Sequence, residues 1–376
     1  MNKQNNISFL FGAGTSIPSG MPSTVRITSK LLSGQYAYVG SKFIEVENLE
    51  TYSWCYGNEY VNRVRELFVI LLNELGKHYS FLKKDPNYED LYYLVDMLLE
   101  DNVLNYENPI VGNYADHLMK NYPHLFSPID KHLSELSLFD LCNKAKDFIA
   151  DIVVNELSKV PSNVSQFSFL SEVYNEGIYN KYFIFTLNHD LILEKYFDEN
   201  NLKYSDGFRR IEEDIKVWDK SYFLESIQLL KIHGSINWHY ESGQNWYEDK
   251  FCIYDEPQRD NSQPLIQIGS FNKIHQYNRG IYFQLQCLFS KLLAESNLII
   301  ISGYSFGDQG INNRIIDWVY LDRNNRIIVI HPDEEKLKEH LRPAILGKWD
   351  LWLKSNTMKI IPKYIQDVTW SDLNEF

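Results

Sequence analysis

Five short apolar runs constrain the fold more than any other feature of this chain. They lie at residues 7–11, 182–186, 228–232, 297–302 and 326–330, and none alternates between apolar and polar positions as a half-exposed strand does. Strands of this kind are typical of a parallel sheet covered by helices on both faces. Helical patterns follow several of the runs. The sequence therefore predicts an α/β fold with a Rossmann-like, doubly wound parallel sheet.

The region between the first two runs has a different pattern, in which apolar residues recur at helical spacing. Because the first predicted strand precedes this region, it is interpreted as an insertion in the sheet domain and not as a separate leading domain. The predicted organisation is a single domain of residues 1–376. Its Rossmann-like core comprises residues 1–22 and 167–376, and a large, mostly helical insertion covers about residues 23–166.

Composition excludes several classes of protein. The 376 residues include 50 Asp and Glu against 37 Lys and Arg, and a net charge of −13 argues against general binding of nucleic acid phosphates. No run approaches the ~18 apolar residues of a membrane span, and the amino terminus lacks a signal-peptide pattern. The four cysteines are scattered without a CxxC pair, which predicts neither disulfides nor a paired-cysteine zinc site. We expect a cytoplasmic protein in which the cysteines are small buried residues.

The first run ends in a glycine turn, residues 12–16 (GAGTS). Glycines at a strand end let backbone N–H groups approach a pyrophosphate, and a following helix start favours the negative charge. The turn lacks the full GxGxxG spacing. A plain tight turn in which Ser16 caps a helix explains it equally well.

Two further runs end in side chains that can perform chemistry. Asn188 follows the second run, and its amide can bind a ribose hydroxyl or a reacting water. His233 follows the third and can accept a proton near neutral pH. Each has a structural alternative: Asp190 as a helix cap with Asn188 as a turn residue, and His233 as a buried histidine. The other histidines have no metal-ligand spacing with His233, so no metal is predicted.

The last two runs also end in turns. Residues 303–308 (GYSFGD) form a second glycine turn, in which Asp308 is predicted to cap the following helix. His331 follows the fifth run, where it could meet a ribose, although Pro332 could equally mark an ordinary turn.

The order GAGTS…GMP, TLNHD, KIHGS and GYSFGD resembles the sirtuin (SIR2-like) superfamily of NAD-binding enzymes. The resemblance covers residues 7–22 and 182–333 and leaves out the helical insertion. The chain departs from protein-deacetylating sirtuins in two respects. It lacks their paired zinc cysteines, and it reads PSTVR where they have Pro-Asp-Phe-Arg, so the acyl-lysine site looks absent. What remains is similar to the bacterial SIR2-like NAD hydrolases of anti-phage defence, including those partnered with a HerA-type ATPase.

This resemblance implies an NAD+ hydrolase (NADase) that releases nicotinamide and ADP-ribose as the effector of an anti-phage abortive-infection system. NAD+ would be its substrate, with no further cofactor and no zinc. The catalytic residues implied are Asn188 and His233. Those implied or interpreted as contacting the nucleotide are Gly12, Ala13, Gly14, Ser16, Asp190, Gly303, Tyr304, Ser305 and His331.

The resemblance also bears on partners. Because an ungated NADase would exhaust its host, we expect a homo-oligomer activated by a separate protein such as a HerA-like ATPase, with no direct nucleic acid or membrane contact. Two alternatives remain: an NAD- or ADP-ribose-binding regulatory or scaffold subunit without turnover, and a protein ADP-ribosyltransferase or deacylase. The sequence leaves open the trigger, the oligomer number, the choice between NAD and NADP, and whether the product is cyclic.

Overall fold

The computed structural model describes residues 5–52, 57–82, 85–102, 108–128, 135–213, 215–242, 250–254, 263–269, 273, 277–278 and 280–374. Within them the strands are β1 (Asn6–Phe11), β2 (Tyr36–Val39), β3 (Lys42–Glu45), β4 (Lys181–Thr186), β5 (Tyr204–Ser205), β6 (Phe208–Arg210), β7 (Ile215–Trp218), β8 (Ile227–Lys231), β9 (Trp238–Glu241), β10 (Lys250–Tyr254), β11 (Leu298–Ser302), β12 (Arg326–Ile330) and β13 (Met358–Ile361). The α-helices are α1 (Thr24–Ser33), α2 (Gly57–Leu82), α3 (Tyr88–Asn102), α4 (Pro109–Asn121), α5 (Leu138–Leu157), α6 (Ser168–Glu176), α7 (Ile192–Glu199), α8 (Gly280–Ala294), α9 (Gln309–Leu321), α10 (Glu334–Lys338), α11 (Pro343–Lys354) and α12 (Trp370–Leu373).

Seven of these strands form one parallel sheet in the order β13-β12-β11-β1-β4-β8-β5. The chain proceeds from β1 to β4, continues to the edge strand β5 and comes back to β8 between them. It then crosses to the other side of β1 and continues through β11, β12 and β13. The strand order therefore reverses between β1 and β11, as in doubly wound dinucleotide-binding folds. The five apolar runs correspond to β1, β4, β8, β11 and β12. The predicted fold class is confirmed.

Helices cover both faces of this sheet, which explains why its strands are apolar throughout. Successive side chains of a strand point to opposite faces, so a sheet covered twice must be apolar at every position. Leu10 of β1 joins one hydrophobic cluster with α8, α9 and α11, whereas Phe9 joins another with α6 and α7.

The segment between β1 and α6 has a hydrophobic cluster of its own. Side chains of α1 to α5 and of the β2–β3 hairpin contribute to it, with Leu31, Phe68 and Phe148 among those fully buried. The helical character expected for residues 23–166 is therefore present, with an added hairpin. The division into a core and an insertion remains a prediction.

Several features differ from expectation. A second sheet, antiparallel in the order β6-β7-β10-β9, was not predicted. Cys142 and Cys252 are buried as expected, but Cys287 is exposed, so the prediction of buried cysteines is wrong there, because this position of α8 faces away from the sheet. Cys55 lies outside the described residues. No helix in the described part of the chain is long and apolar enough to cross a membrane.

Candidate active site at the carboxyl edge of the sheet

The two glycine turns interlock where the strand order reverses. The Gly14 N–H donates to the Gly303 carbonyl oxygen at 2.9 Å. A Cβ on Gly12 would lie 2.6 Å from that same oxygen, and one on Gly303 would lie 2.3 Å from the Thr15 nitrogen. Both turns therefore require glycine for close approach of the backbones. In open α/β sheets this reversal point is where ligands bind.

We predict that Gly303→Ala destabilises the protein more than Gly177→Ala does. Both glycines have left-handed backbones, with φ of 65° and 66°, so alanine costs each about 1–2 kcal/mol of conformational energy. Around Gly177 no described heavy atom lies within 4 Å of the new Cβ, whereas at position 303 the new Cβ meets Thr15. Thermal unfolding of the two variants measures the difference. Equal losses would contradict the interlocked arrangement.

Asn188 is bound to the first glycine turn through its side-chain amide. Its Nδ2 donates to the Gly12 carbonyl oxygen at 3.0 Å and to Ser16 Oγ at 2.9 Å. Ser16 can accept because its own proton goes to Asp190 Oδ2, at 2.7 Å. Since both neighbours are acceptors, the amide nitrogen must face them. Among the described residues no donor contacts Asn188 Oδ1, so this oxygen is available as an acceptor.

The structural alternatives for Ser16 and Asp190 were wrong in detail. Ser16 is not a helix cap, because it lies inside a short 3-10 helix, Ala13–Ser19, and its hydroxyl is held by Asp190. Leu191 occupies the N-cap position of α7, one residue later than expected. The Asp190 carboxylate nonetheless accepts a hydrogen bond from the Ile192 N–H at 3.2 Å. The same carboxylate therefore provides an acceptor for a free N–H group at the start of α7 and also orients the Ser16 hydroxyl.

Lys231 and Glu194 form a buried ion pair behind this turn. Their Nζ–Oε1 distance is 2.7 Å, and the Lys231 side chain is 2% exposed. Lys231 also donates to the carbonyl oxygen of Asp190. Burial raises the pKa of Glu194, and the Lys231 charge opposes that rise. The pair therefore fixes the chain segment that carries Asn188.

His233 lies at the same edge as Asn188, on the neighbouring strand. Thr186 at the end of β4 pairs with Lys231 at the end of β8, so each of the two candidate residues stands two positions beyond a paired residue. The Ser235 hydroxyl and the Ile236 N–H donate to the His189 carbonyl oxygen and tie the two turns together. The topology thus brings the amide and the imidazole to one edge of the sheet.

The His233 ring contacts two residues that sequence analysis did not assign to it. Its Nε2 lies 2.9 Å from Tyr277 Oη and 3.2 Å from Asp308 Oδ2, and Tyr277 Oη also donates to that carboxylate oxygen. Burial lowers the pKa of His233, Lys273 lowers it further, and Asp308 opposes both. His233 therefore stays neutral and able to accept a proton near pH 7.

Asp308 has the predicted capping role and a second contact. Its Oδ1 accepts from the Gly310 and Ile311 N–H groups at the start of α9, which confirms the predicted cap. Its other oxygen faces His233. The sequence offered a signal for this contact, since Asp308 closes a turn at the same sheet edge. Tyr277 carried no comparable signal, because it follows none of the apolar runs.

The remaining candidate residues divide into two groups. Gly303 and Ser305 stand at the end of β11 beside the first turn, and Ser305 is exposed. Tyr304 is buried, and its hydroxyl donates to the side chain of Asn312, so only its backbone faces the turn. His331 lies two strands from β1 and lines a cavity of about 650 Å³ between the ends of β12 and β13. That cavity contains none of the other candidate residues.

Comparison with known proteins gives one family match. The family model described as a SIR2-like domain matches residues 183–356, a little under half of the chain. Solved structures similar to this chain include a SIR2 homolog–NAD complex, 12% identical with a TM-score of 0.41, covering 99% of this chain and 89% of that one. Another is Sir2Tm bound to a propionylated peptide, 12% identical with a TM-score of 0.39, covering 97% and 91%. A search of the curated proteins found no match.

The matched segment includes the ends of β4, β8, β11 and β12, and therefore Asn188 and His233, but not the first glycine turn. The described residues contain no group of His, Cys, Asp and Glu side chains that could hold a metal ion.

Proposed function

We propose that this protein is an NAD+ hydrolase that cleaves the bond between nicotinamide and ribose. One observation carries the proposal: a side-chain amide and a neutral imidazole follow adjacent parallel strands in register, beside two interlocked glycine turns at the strand-order reversal. Such turns suit a pyrophosphate, and such a reversal suits a dinucleotide. The SIR2-like family match over residues 183–356 supports NAD+ as the substrate.

The reaction requires little of the protein beyond binding and one proton acceptor. The bond between ribose C1′ and the pyridinium nitrogen breaks, and its electron pair stays on nicotinamide, which leaves as a neutral molecule. The ribose gains oxocarbenium character, as in other glycosyl hydrolyses. A water oxygen bonds to C1′ and loses a proton. The balance is NAD+ and water giving ADP-ribose, nicotinamide and one proton.

Each group at the site has a defined part in this scheme. Asn188 Oδ1 accepts a hydrogen bond from a ribose hydroxyl or from the attacking water, while its Nδ2 holds the first glycine turn. His233 acts as general base and takes the water proton, or a ribose hydroxyl proton in relay. Among the N–H groups of residues 12–14 that the structure describes, that of Ala13 is available to the pyrophosphate, because those of Gly12 and Gly14 donate to the Ser302 and Gly303 carbonyl oxygens. Ser16, Asp190 and the second glycine turn lie in support.

The direct test is incubation of the purified full-length protein with NAD+, followed by chromatography of the products. The proposal expects nicotinamide and ADP-ribose in equal amounts, and a parallel incubation with NADP+ and a check for cyclic ADP-ribose define specificity. Calorimetric binding without turnover would favour the regulatory or scaffold alternative. Label transferred from NAD+ to a protein acceptor would favour a transferase. Neither binding nor turnover, with and without neighbouring gene products, would refute the proposal.

We further propose a biological setting for this activity: an anti-phage abortive-infection effector in the cytoplasm. Cleavage of NAD+ at full rate would exhaust the host, so the activity needs a gate. The helices of residues 23–166 offer the surface for oligomer contacts and for an activating partner such as a HerA-like ATPase. Turnover measured across protein concentrations, alone and with the partner, tests this. A protein fully active alone at every concentration would remove the need for a partner.

A further inference from the structure

The cluster of His233, Tyr277 and Asp308 fixes where its protons lie. Tyr277 has one hydroxyl proton and donates it to Asp308 Oδ2, so its oxygen can only accept from His233. Burial raises the pKa of Asp308, but the hydrogen bond from His233, the charge of Lys273 and the hydrogen bond from Tyr277 lower it, and the pKa lies well below its usual value. The carboxylate is thus ionised and also accepts only. Both neighbours of His233 Nε2 are therefore acceptors, and Nε2 must carry the ring proton.

We propose that Asp308 is the positioning residue of the catalytic base: it fixes the Nε2–H tautomer of His233, so that Nδ1 is the nitrogen that takes the substrate's proton. This inference rests on the proposed function for its kinetic consequence, but the tautomer exists in the unliganded protein. Within the described residues no group forms a hydrogen bond with His233 Nδ1. A carboxylate that accepts from one ring nitrogen of a histidine orients the imidazole and stabilises the imidazolium that forms when the other nitrogen takes a proton.

Capping alone does not account for Asp308. A helix N-cap needs one acceptor oxygen, and Oδ1 fills that role through Gly310 and Ile311. Oδ2 instead faces a histidine that is 3% exposed and a tyrosine that is 4% exposed. A buried carboxylate oxygen is costly unless it is hydrogen-bonded, and here both of its partners belong to the site. The two oxygens therefore serve two functions.

The charges around His233 determine its pH dependence. Burial and Lys273 favour the neutral ring, while Asp308 and Glu89 favour the charged ring. Removing the Asp308 charge lowers the pKa of His233 further, so the acidic limb of the kcat profile should move to lower pH. The groups that face His233 are Lys273 (paired with Glu89 at 3.3 Å), Asp308, Tyr277 and His189.

The test is Asp308→Asn in the full-length protein, with Asp140→Asn as the matched control. Asn retains the cap but directs an NH2 group at His233 Nε2, which favours the opposite tautomer. We expect kcat with NAD+ to fall by about 10²-fold with KM within about threefold, and the acidic limb to move to lower pH. Asp140 is the third residue of α5, where it accepts from the N–H of the N-cap Ser137, and it is exposed, so the control loses the same charge in the first turn of a helix without these effects.

A second measurement keeps the inference separate from the proposed function. Nitrogen-15 NMR of histidine-labelled protein without NAD+ should show a pyridine-type Nδ1 and a protonated Nε2 for His233, and the reverse in Asp308→Asn. Tyr277→Phe should keep the wild-type tautomer and lose less activity, because the carboxylate remains. An Nδ1-protonated His233 in the wild type would overturn the inference even if NAD+ is hydrolysed. The expected tautomers in a protein without turnover would uphold the role of Asp308 in fixing the tautomer and refute only the NADase and the proton transfer that depends on it.

Discussion

Alanine at position 233 is expected to lower the kcat for NAD+ hydrolysis by about 10²–10⁴-fold, the usual contribution of a positioned general base. The fold should survive, because Asp308 keeps the Tyr277 hydroxyl and the helix N–H groups as donors when the imidazole is removed. Product chromatography over a range of NAD+ concentrations gives kcat and KM. His340→Ala, which removes an exposed histidine, serves as the control. Wild-type turnover by the position 233 variant would show that another group takes the proton.

Asn188→Ala should differ from the histidine variant in its kinetic pattern. The amide contributes an acceptor for the reacting groups and also holds Gly12 and Ser16, so its loss should lower kcat and raise KM together. Asn324→Ala, at an exposed turn, provides the matched control. A rise in KM with unchanged kcat would reduce Asn188 to a support of the glycine turn and remove it from the chemistry.

The sheet could be predicted because burial on both faces leaves a direct mark on the sequence. Phe9 and Leu10 face different helical layers, so neighbouring positions of β1 are buried on opposite faces of the sheet. For this reason residues 7–11 are apolar at every position but one. The strands that were not predicted lack this mark. β5 has only two residues, and β13 is fully buried only at its two ends. The second sheet is antiparallel, and its strands β6 and β7 are short and partly exposed, so they form no continuous apolar run.

Only the site residues that directly follow the ends of the parallel strands could be predicted from the sequence. Parallel strands end at one edge, so the residues that follow each apolar run, Asn188 and His233 among them, were expected to meet there. The partner of the imidazole could not be foreseen in the same way. Asp308 already had a sufficient explanation as a helix cap, and Tyr277 is 44 residues from His233 in the sequence and follows none of the apolar runs. The pairing depends on side-chain directions, which spacing does not encode.

Lys231→Met is expected to cost about 3–5 kcal/mol of unfolding free energy, because it leaves the buried carboxylate of Glu194 without its counter-charge. Denaturant unfolding at pH 8 measures this loss. Lys195→Met is the matched control, since it removes a lysine from the position of α7 that follows Glu194. Its pair with Glu199 is longer, 3.7 Å, and half exposed, so it should cost less than about 1 kcal/mol.

The sign of the pH dependence identifies the cause of that loss. Burial already raises the pKa of Glu194, and without Lys231 to oppose it the pKa rises further. The deficit of Lys231→Met should therefore be fully present above the new pKa and shrink as falling pH protonates Glu194. Adding Glu194→Leu should restore most of the stability at pH 8, since the uncompensated charge is then gone. The stability deficit could instead stay constant with pH and persist in the double variant Lys231→Met/Glu194→Leu. That result would assign the loss to the hydrogen bond from Lys231 to the Asp190 carbonyl oxygen, which holds the segment that carries Asn188.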